Sequence, residues 1–575
     1  MTETSSPRLR HIMHHMAAPA RLLAAALLCA MVASAGAAPI SLPQKRPSET
    51  PLELPEFEPA ETQQPLTLPP RPEVPPAAEL SRQARVFIKE IRLSGNTVFS
   101  TEELSVITRP YENRVITSGE LQAVRYALTL FYIDRGYINS GAIIPDQNVT
   151  DGSVNIRIIE GELTSIDVTG NERLRQDYIS DRIALRAGPP LNIVRLGEQL
   201  QIMQQNPRLE RINATLEPGA EPGQSTLHVD IHEAQPYQLW AAVDNHQSPS
   251  VGGEQVRLWG LHQNLTGRGD TAQFEFGHAE GLDEWNASYA IPLNARDTTL
   301  RLYYDRIDSE VVESPFDDLD IKSDEETISL SLTQPFYLSP SRTFNLGLSL
   351  DLRESKNYLL GDPFPFTTGT DNGKIDLTVL RLSQEWLDRG RSQVLAVRSL
   401  LSAGVDAFGA TVNGEARDGK FVSWLGQLQW ARRIGSSSSQ VIFRSDAQLA
   451  NGGLPSMEQF TVGGADTVRG YRENRLVADT GFVASVELRI PVYNSASGNF
   501  EVQVAPFVDY GYASSRTSPD LLRNEISSTG IGLLGTLFGR IDFSLYYGHA
   551  FQDFDNGEDD IQDDGLSFRL SARLL

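Results

Sequence analysis

The chain has 575 residues, with 50 lysines and arginines against 74 aspartates and glutamates, so its formal net charge is −24. This acidic balance argues against nucleic acid as a partner, because phosphate binding needs a basic face. The mean hydropathy of −0.27 and the lack of repeated apolar spans of about 20 residues argue against a polytopic helical membrane protein. A transmembrane β-barrel is still compatible with these averages, because half of its strand residues face a polar lumen.

A secretory signal peptide is predicted at residues 1–37. Three arginines precede an apolar run from Leu22 to Ala33, and small residues follow it. A basic segment, a short apolar core and an A-x-A site are typical of a signal peptide and not of a membrane anchor helix. Cys29, the single cysteine, lies inside this run. We therefore expect a mature chain without disulfides, thiol chemistry or Cys-based metal sites.

Residues 38–85 are predicted to form a Pro-rich linker. They contain 12 prolines between Pro39 and Pro76. Proline has no N–H to donate to a helix or a sheet ladder, so we expect a semi-extended segment.

Two small α+β modules are predicted next, at 86–161 and 162–235. Each opens with a strand-like run and a Gly-Asn turn, at Gly95-Asn96 and Gly170-Asn171, and continues with helical periodicity and two further strands. The shared order, roughly β-α-α-β-β over about 75 residues, indicates an internal repeat of small domains.

Residues 236–575 are predicted to form a transmembrane β-barrel. Segments of about 10 residues alternate apolar and polar side chains, as in 344–352, 482–490 and 541–547; this pattern is typical of strands between lipid and a polar lumen. We count about 16 such segments, joined by long polar loops and short turns in the barrel pattern. The strands of a soluble sandwich are usually shorter.

Catalytic patterns are missing from the sequence. No H-E-x-x-H, G-x-S-x-G or P-loop pattern occurs, and His228 and His232 are better explained as a solvated strand face than as metal ligands. We therefore expect neither an enzyme nor a bound cofactor or metal.

One late loop and one late strand differ from the rest. The loop contains Val468-Arg469-Gly470-Tyr471, and the strand, two strands later, contains Phe507, Asp509 and Gly511 on one face. Because a charge facing lipid is costly, this face should point into the lumen. An infolded loop could then pair Arg469 with Asp509. The alternative is an external loop whose charges are unrelated to the strand.

The whole mature chain from about Val86 resembles the two-partner secretion transporters, the TpsB family, whose soluble modules are called POTRA domains. Val468-Arg469-Gly470-Tyr471 is similar to the lumen-loop motif of their superfamily, and Phe507, Asp509 and Gly511 to its barrel-wall partner. Asp244-Asn245, at the end of the first barrel strand, is also similar to the family. The residues of the first module that carry the resemblance are Gly136, Tyr137, Pro145, Gln147, Glu160 and Gly161.

This resemblance implies an outer-membrane pore that exports one large, unfolded partner protein, a haemolysin- or adhesin-like exoprotein, from periplasm to cell surface without ATP. The linker at 38–85 and the modules would lie in the periplasm and the barrel in the outer-membrane bilayer, into which the barrel-assembly machinery would insert it. An N-terminal plug helix, frequent in the family, is disfavoured here by the prolines of residues 39–76. A barrel-assembly factor of the same superfamily and a passive porin are the alternatives.

Overall fold

The computed structural model describes residues 44–50, 52, 54, 57, 65–68, 85–149, 151–435, 438–495, 498–517, 524–554 and 559–575. The predicted signal peptide and most of the predicted linker lie outside these residues. The chain divides into two compact units, one centred on 61–235 and the other containing the first 60 residues and nearly all of the chain from 236 onward. None of the helices in the described ranges has the length and apolar character that a membrane-spanning helix requires.

The first module contains strands β2 to β6 around two helices. Its strands are β2 (Arg85–Ile88), β3 (Glu90–Ser94), β4 (Arg114–Thr117), β5 (Gly141–Ile143) and β6 (Ser153–Ile159). Its two helices are Thr101–Thr108 and Ser118–Ile133, and the 3₁₀ turn Arg109–Tyr111 follows the first of them. β3 pairs in parallel with β6, β5 is antiparallel to β6, and β2 pairs with β4 in a separate ribbon.

Two features of this module differ from the prediction. The opening run forms two strands instead of one, because the chain changes partner at Lys89, whose N–H donates to the carbonyl of Gly152. The strand β4, between the helices, was not predicted. The helix Ser118–Ile133 begins with a capping box of Thr117 and Glu120 and buries Val124, Leu128 and Tyr132 on one face.

The second module is a four-stranded sheet with two helices on it. Its strands are β7 (Glu162–Thr169), β8 (Leu209–Pro218) and β9 (Gln224–Glu233), its helices are Gln176–Ala184 and Ile193–Gln204, and its sheet order is β1-β8-β9-β7. The edge strand β1 (Leu66–Thr67) comes from the predicted linker. The inward residues of β8 and β9 alternate with exposed ones and pack with both helices in one apolar core.

The barrel is closed and antiparallel, and its circuit has 16 strands, so the predicted fold is confirmed. These strands are β10 (Tyr237–Asp244), β11 (Gln255–His262), β12 (Thr271–Ala279), β13 (Leu282–Pro292), β14 (Thr299–Glu310), β15 (Lys322–Leu338), β16 (Arg342–Leu359), β18 (Lys374–Arg389), β19 (Gln393–Gly404), β20 (Val422–Arg433), β21 (Gln440–Ala450), β24 (Thr480–Asn494), β25 (Phe500–Ser514), β26 (Glu525–Leu537), β27 (Ile541–Ala550) and β28 (Leu566–Arg573).

Three further short strands lie outside the circuit. β17 (Asp362–Pro363) pairs with the end of β16, and β22 (Phe460–Val462) pairs with β23 (Leu476–Ala478) inside the loop between β21 and β24. Short 3₁₀ turns occur at Pro47–Glu49, Pro249–Val251, Asp317–Leu319 and Ser456–Glu458.

The two faces of the barrel strands differ as the alternation predicts. On the outer face, Val486 is 49% and Val508 57% exposed, while their neighbours Glu487 and Asp509 on the inner face are 1% and 0% exposed. Apolar side chains therefore face outward, and buried charges face the lumen.

Candidate functional site: the lumen loop and its anchors

The loop between β21 and β24 carries Arg469 into the lumen, where it meets Asp509 on β25. Nε and Nη2 of Arg469 donate to the two carboxylate oxygens of Asp509, each at 2.8 Å, and the backbone N–H of Arg469 donates to the same carboxylate at 3.0 Å. Nη1 donates to Glu487 of β24, and Nη2 also donates to Ser485 at 2.9 Å. The structure thus brings together the two residues that the sequence suggested as a pair, and it adds Glu487 as a second carboxylate.

Electrostatics keep this guanidinium charged although it is 1% exposed. Burial alone would lower the pKa of Arg469, but the hydrogen bonds and charges of Asp509 and Glu487 raise it above its ordinary value. A buried Arg that pairs bidentately with one carboxylate and also contacts a second has a fixed geometry, and removal of either side leaves an uncompensated charge.

The other two residues of the wall motif fit the loop sterically. The ring of Phe507 stacks on the guanidinium of Arg469, 3.7 Å from its centre. A Cβ on Gly511 would lie 2.2 Å from Val462 Cγ1 and 2.8 Å from Val468 Cγ2. Glycine at 511 is therefore what allows the loop to lie against the strand.

Gly470 and Tyr471 attach the loop to the next strands. Gly470 has φ +92°, and a Cβ there would lie 2.7 Å from the carbonyl oxygen of Gly548 on β27, so only glycine fits at this close approach. The Tyr471 hydroxyl donates to the carbonyl of Ser527 at 2.9 Å and contacts Gln552. The motif therefore contacts β24, β25 and β27 and the end of β26.

A second anchor, which the sequence did not suggest, holds the other end of the same loop. Glu458, with a fully buried side chain, accepts hydrogen bonds from Arg353 of β16 at 2.8 Å and from Arg381 of β18 at 2.6 and 2.9 Å. Burial alone would raise the pKa of Glu458, but the two arginines lower it below its ordinary value. Arg381 also pairs with Asp351. The loop is thus fixed to the wall at two separate places.

One described part of the predicted linker contributes a third element. Residues 44–50, here called the lumen segment, lie against inward-facing side chains of the barrel. Lys45 Nζ contacts Glu284 at 2.5 Å and Asp305 at 3.2 Å, and the Lys45 carbonyl accepts a hydrogen bond from Arg353. Arg46 Nε donates to the carbonyl of Ser456, next to the Glu458 anchor, at 3.0 Å.

This placement differs from the predicted periplasmic linker at 38–85. The lumen segment contains one 3₁₀ turn, Pro47–Glu49. Its charged side chains instead find partners on the inner wall more than 200 residues away in sequence. A cavity of about 550 Å³ lies beside the segment and is lined by residues that include Gln273, Tyr303 and Arg398.

The outer ends of the loop and of the barrel seam are linked by polar contacts. Arg472 pairs with Glu313 and Asp563, both at 2.5 Å. The Gln562 amide accepts a hydrogen bond from the N–H of Glu473 and donates to the carbonyl of Asn245.

The seam between β10 and β28 is itself completed by Asn245. Five register pairs join the two strands, from Trp240↔Arg573 to Asp244↔Arg569. The Asn245 amide then donates to the carbonyl of Leu566 at 2.9 Å and accepts from the N–H of Phe568 at 2.7 Å. Asp244 accepts from Arg257 and Arg569 on either side. The Asp244-Asn245 pair thus has a closing role in the barrel.

The motif residues of the first module form structural contacts. Glu160 accepts hydrogen bonds from the N–H groups of Thr97 and Val98 at 2.7 and 2.9 Å and from the Tyr132 hydroxyl at 2.8 Å. Tyr137 packs on the ring of Phe99. Glu160 therefore closes the Gly-Asn turn over the helix.

Gly136, Gly161 and Gln147 complete the motif. Gly136 has φ +90°, and its carbonyl accepts the N–H of Ile193, while the carbonyl of Gly161 accepts the N–H of Leu191. Both contacts join the first module to the second. The Gln147 amide exchanges two hydrogen bonds of 2.8 Å with the backbone of Asn155 and donates to the Pro145 carbonyl at 3.3 Å.

The carboxylate and imidazole side chains of the described ranges do not converge on a metal site. No cluster there has three or more His, Cys, Asp or Glu side chains suited to one ion. His228 contacts Asp167 and Glu217, all of them about half exposed, as expected for a solvated strand face.

Comparison with known proteins gives two family matches. Residues 223–535 match the haemolysin secretion/activation protein family ShlB/FhaC/HecB, and residues 86–161 match the ShlB-type POTRA domain.

The individual relatives share low sequence identity with this chain but match most of its length. The outer membrane transporter CdiB of Dickeya dadantii is 22% identical over 71% of this chain and 73% of its own length. The heme/hemopexin transporter protein HuxB of Haemophilus influenzae (strain 86-028NP) is 20% identical over 80% of this chain and 85% of its own length. The solved structure of CdiB from Escherichia coli, 20% identical, superposes with a TM-score of 0.65 over 88% of this chain and 92% of that one. The chain therefore belongs to the ShlB/FhaC/HecB family of outer-membrane protein transporters, with its POTRA domains in the periplasm.

Proposed function

We propose that this transporter exports one large exoprotein, haemolysin- or adhesin-like, as an unfolded chain through the barrel lumen, and that the loop carrying Arg469 controls the passage. The observation that carries this proposal is the buried contact of Arg469 with Asp509 and Glu487. This contact supports the proposal because it holds the loop against the inner face of the barrel wall.

The lumen must change before an extended chain can pass. The loop is anchored on the wall through Arg469 and Glu458, and the lumen segment is attached to both the wall and the loop. In our proposal the incoming chain displaces one or both of these elements. Folding of the cargo at the cell surface would then give transport its direction without ATP.

The POTRA domains would receive the cargo in the periplasm. Their sheets can add an extended chain through backbone hydrogen bonds, which gives affinity with little demand on sequence. An unfolded cargo suits this mode, because it becomes ordered only on binding.

The test compares the secreted proteins of cells with and without this chain. Loss of one large extracellular protein supports the proposal. Loss of many barrels from the outer membrane would instead support a role as an assembly factor, and unchanged secreted proteins and membrane barrels would contradict both.

A deletion provides the second test. Removal of residues 86–161 should abolish export, while the barrel keeps the heat-modifiable gel mobility of a folded outer-membrane protein. Normal export by this variant would contradict the role of the first POTRA domain in receiving the cargo.

A further inference from the structure

The two POTRA domains share a short segment, residues 135–139, here called the junction segment. It follows the helix Ser118–Ile133 of the first domain. Tyr137 packs against the apolar core of the first domain, whereas the next residue, Ile138, packs against the core of the second. Two consecutive side chains are therefore inserted into two different cores. The domains are joined here by packing as well as by the chain connection at residues 160–161.

The junction segment also completes the beginning of a helix in the second domain. The first N–H of the helix Ile193–Gln204, that of Ile193, donates to the carbonyl of Gly136 at 3.0 Å. The Asn192 side chain accepts from the next two N–H groups at 3.0 and 3.3 Å, and its amide donates to the carbonyl of Arg135 at 3.0 Å. The first N–H groups of a helix have no partner within it. Carbonyls that follow one helix therefore satisfy the beginning of another across the domain boundary, where the two helix dipoles are complementary.

Asn139 makes a third connection between the domains. Its amide nitrogen donates to the carbonyl of Gly223 at 3.1 Å and to the hydroxyl of Ser225 at 3.2 Å, both in the second domain. A Cβ on Gly161 would lie 2.3 Å from Cγ of Asn139. Glycine at 161 therefore leaves the space in which the Asn139 amide lies.

These contacts oppose a bend at the domain boundary. Domains of one chain move relative to each other unless the interface between them holds them. A bend here would withdraw Ile138 from an apolar core. It would also separate the N–H of Ile193 and the buried hydroxyl of Ser225 from their partners in the first domain, and a buried polar group without a partner is costly.

We propose that the junction segment holds the two POTRA domains as one rigid body, and that Ile138, Asn139 and Asn192 are the positioning residues that set the angle between them. The inference rests on the proposed export function. Because both domains receive the cargo in that function, a fixed angle would keep their cargo-receiving surfaces in one arrangement throughout export.

A distance measurement in the full-length transporter tests the rigidity. Spin labels are attached through Val106→Cys in the first domain and Asp181→Cys in the second, both at exposed helical positions. The predicted mature chain has no other cysteine. Pulsed electron paramagnetic resonance should then give one narrow distribution of distances between the two labels.

Two variants of the junction should broaden this distribution. Ile138→Ala combined with Asn139→Ala removes the apolar contact and the amide bonds, and we expect a broader distribution together with a loss of export. Asn192→Asp keeps the oxygen that caps the helix but loses the amide that bonds to Arg135, so it should broaden the distribution less. Asn155→Ala, at an exposed position of β6, is the matched control and should change neither quantity. Heat-modifiable mobility verifies that each barrel is folded.

The two readouts separate the outcomes. A broad distribution in the labelled transporter with an unchanged junction would overturn the proposal, as would normal export by a junction variant whose distribution has broadened. If cells without the transporter secrete the same proteins, the export function fails, while the distance distribution still decides whether the two domains form one body.

Discussion

The POTRA unit and the barrel unit differ in the share of charged side chains that they bury. The POTRA domains bury aliphatic and aromatic side chains in two apolar cores. In the barrel, large apolar side chains such as Val508 stay on the outer face, and the fully buried positions include Arg469, Glu458 and Asp509. Apolar packing fixes the shape of the first unit, whereas the loop inside the second is held by buried charges together with an apolar cluster that includes Phe460 and Val462.

This difference separates two kinds of stability. The barrel wall is closed by backbone hydrogen bonds between strands, so changes to lumen charges should alter the loop and the lumen segment while the barrel itself stays inserted. In the POTRA domains a buried polar group is tied to the local fold, so the same kind of change should reduce stability directly.

The largest expected effect comes from Arg469→Ala. It leaves Asp509 and Glu487 buried without their cation, and breaking a buried pair typically costs about 3–5 kcal/mol. We expect export to fall strongly while the barrel remains in the outer membrane with heat-modifiable mobility. Quantification of the exported protein checks this result, with Arg540→Ala, at an exposed turn, as the matched control. Normal export by the Arg469 variant would contradict the role proposed for the loop.

A smaller effect is expected from Glu458→Gln. The neutral amide keeps the shape but weakens the hydrogen bonds to Arg353 and Arg381, each worth about 1.5–3 kcal/mol when charged. One end of the loop should then loosen, and single-channel recordings in planar bilayers should show higher conductance than the wild type.

The same variant can report on the lumen segment. Arg353 bonds to both Glu458 and the Lys45 carbonyl, so a looser Arg353 should also loosen the lumen segment. A cysteine at position 48 (Ser48→Cys) should then react more with a thiol reagent when Glu458→Gln is also present than when it is not. Unchanged conductance together with unchanged labelling would show that the Arg469 anchor alone holds the loop.

In the POTRA unit, Glu160→Gln should change how stability depends on pH. Burial alone would raise the pKa of Glu160, but the hydrogen bonds from Thr97, Val98 and Tyr132 lower it below its ordinary value of 4.5. A carboxyl group with a lowered pKa stabilises the folded state above its ordinary pKa, and this contribution is lost as the pH falls through the lowered value. The variant should be less stable at neutral pH and should lose less stability on acidification.

Hydrogen exchange of the first POTRA domain within the whole protein, between about pH 7 and about pH 3, measures this dependence. Glu162→Gln, an exposed neighbour at the start of β7, is the matched control. Equal acid sensitivity of the Glu160 variant and the wild type would contradict the assignment.

The smallest effect is expected from Lys45→Gln. The Lys45 side chain is 35% exposed, so water can replace part of its interaction with Glu284 and Asp305. We expect a slight rise in conductance, smaller than that of Glu458→Gln. A larger rise would mean that this ion pair, and not the buried pairs, holds the lumen segment.

The sequence predicted the elements whose signal is local. Alternation over ten residues predicted the barrel, and the inward set on β24 already contained Glu487, although its contact with Arg469 was not foreseen. The loop and the strand of the site were singled out from their residues, and the resemblance then identified them as a motif. The structure explains its glycines, because Gly511 and Gly470 stand where a Cβ would collide with the loop or with Gly548.

The remaining contacts had no local signal. Glu458 is one acidic residue among many in a long loop, and its two arginines lie on strands about 80 and 100 residues earlier. The lumen segment has the composition of a linker, and its position depends on ion pairs with partners more than 200 residues away. Neither periodicity nor composition encodes such long-range pairing.

The Gln562 amide has a mechanical consequence. It accepts from Glu473 in the loop and donates to the carbonyls of Asn245 and Gln247, where the first barrel strand ends beside the last. A force that pulls the loop outward is therefore transmitted to the outer end of the seam, where the ladder ends on the side-chain amide of Asn245. We therefore expect displacement of the loop to loosen the barrel closure at its outer end.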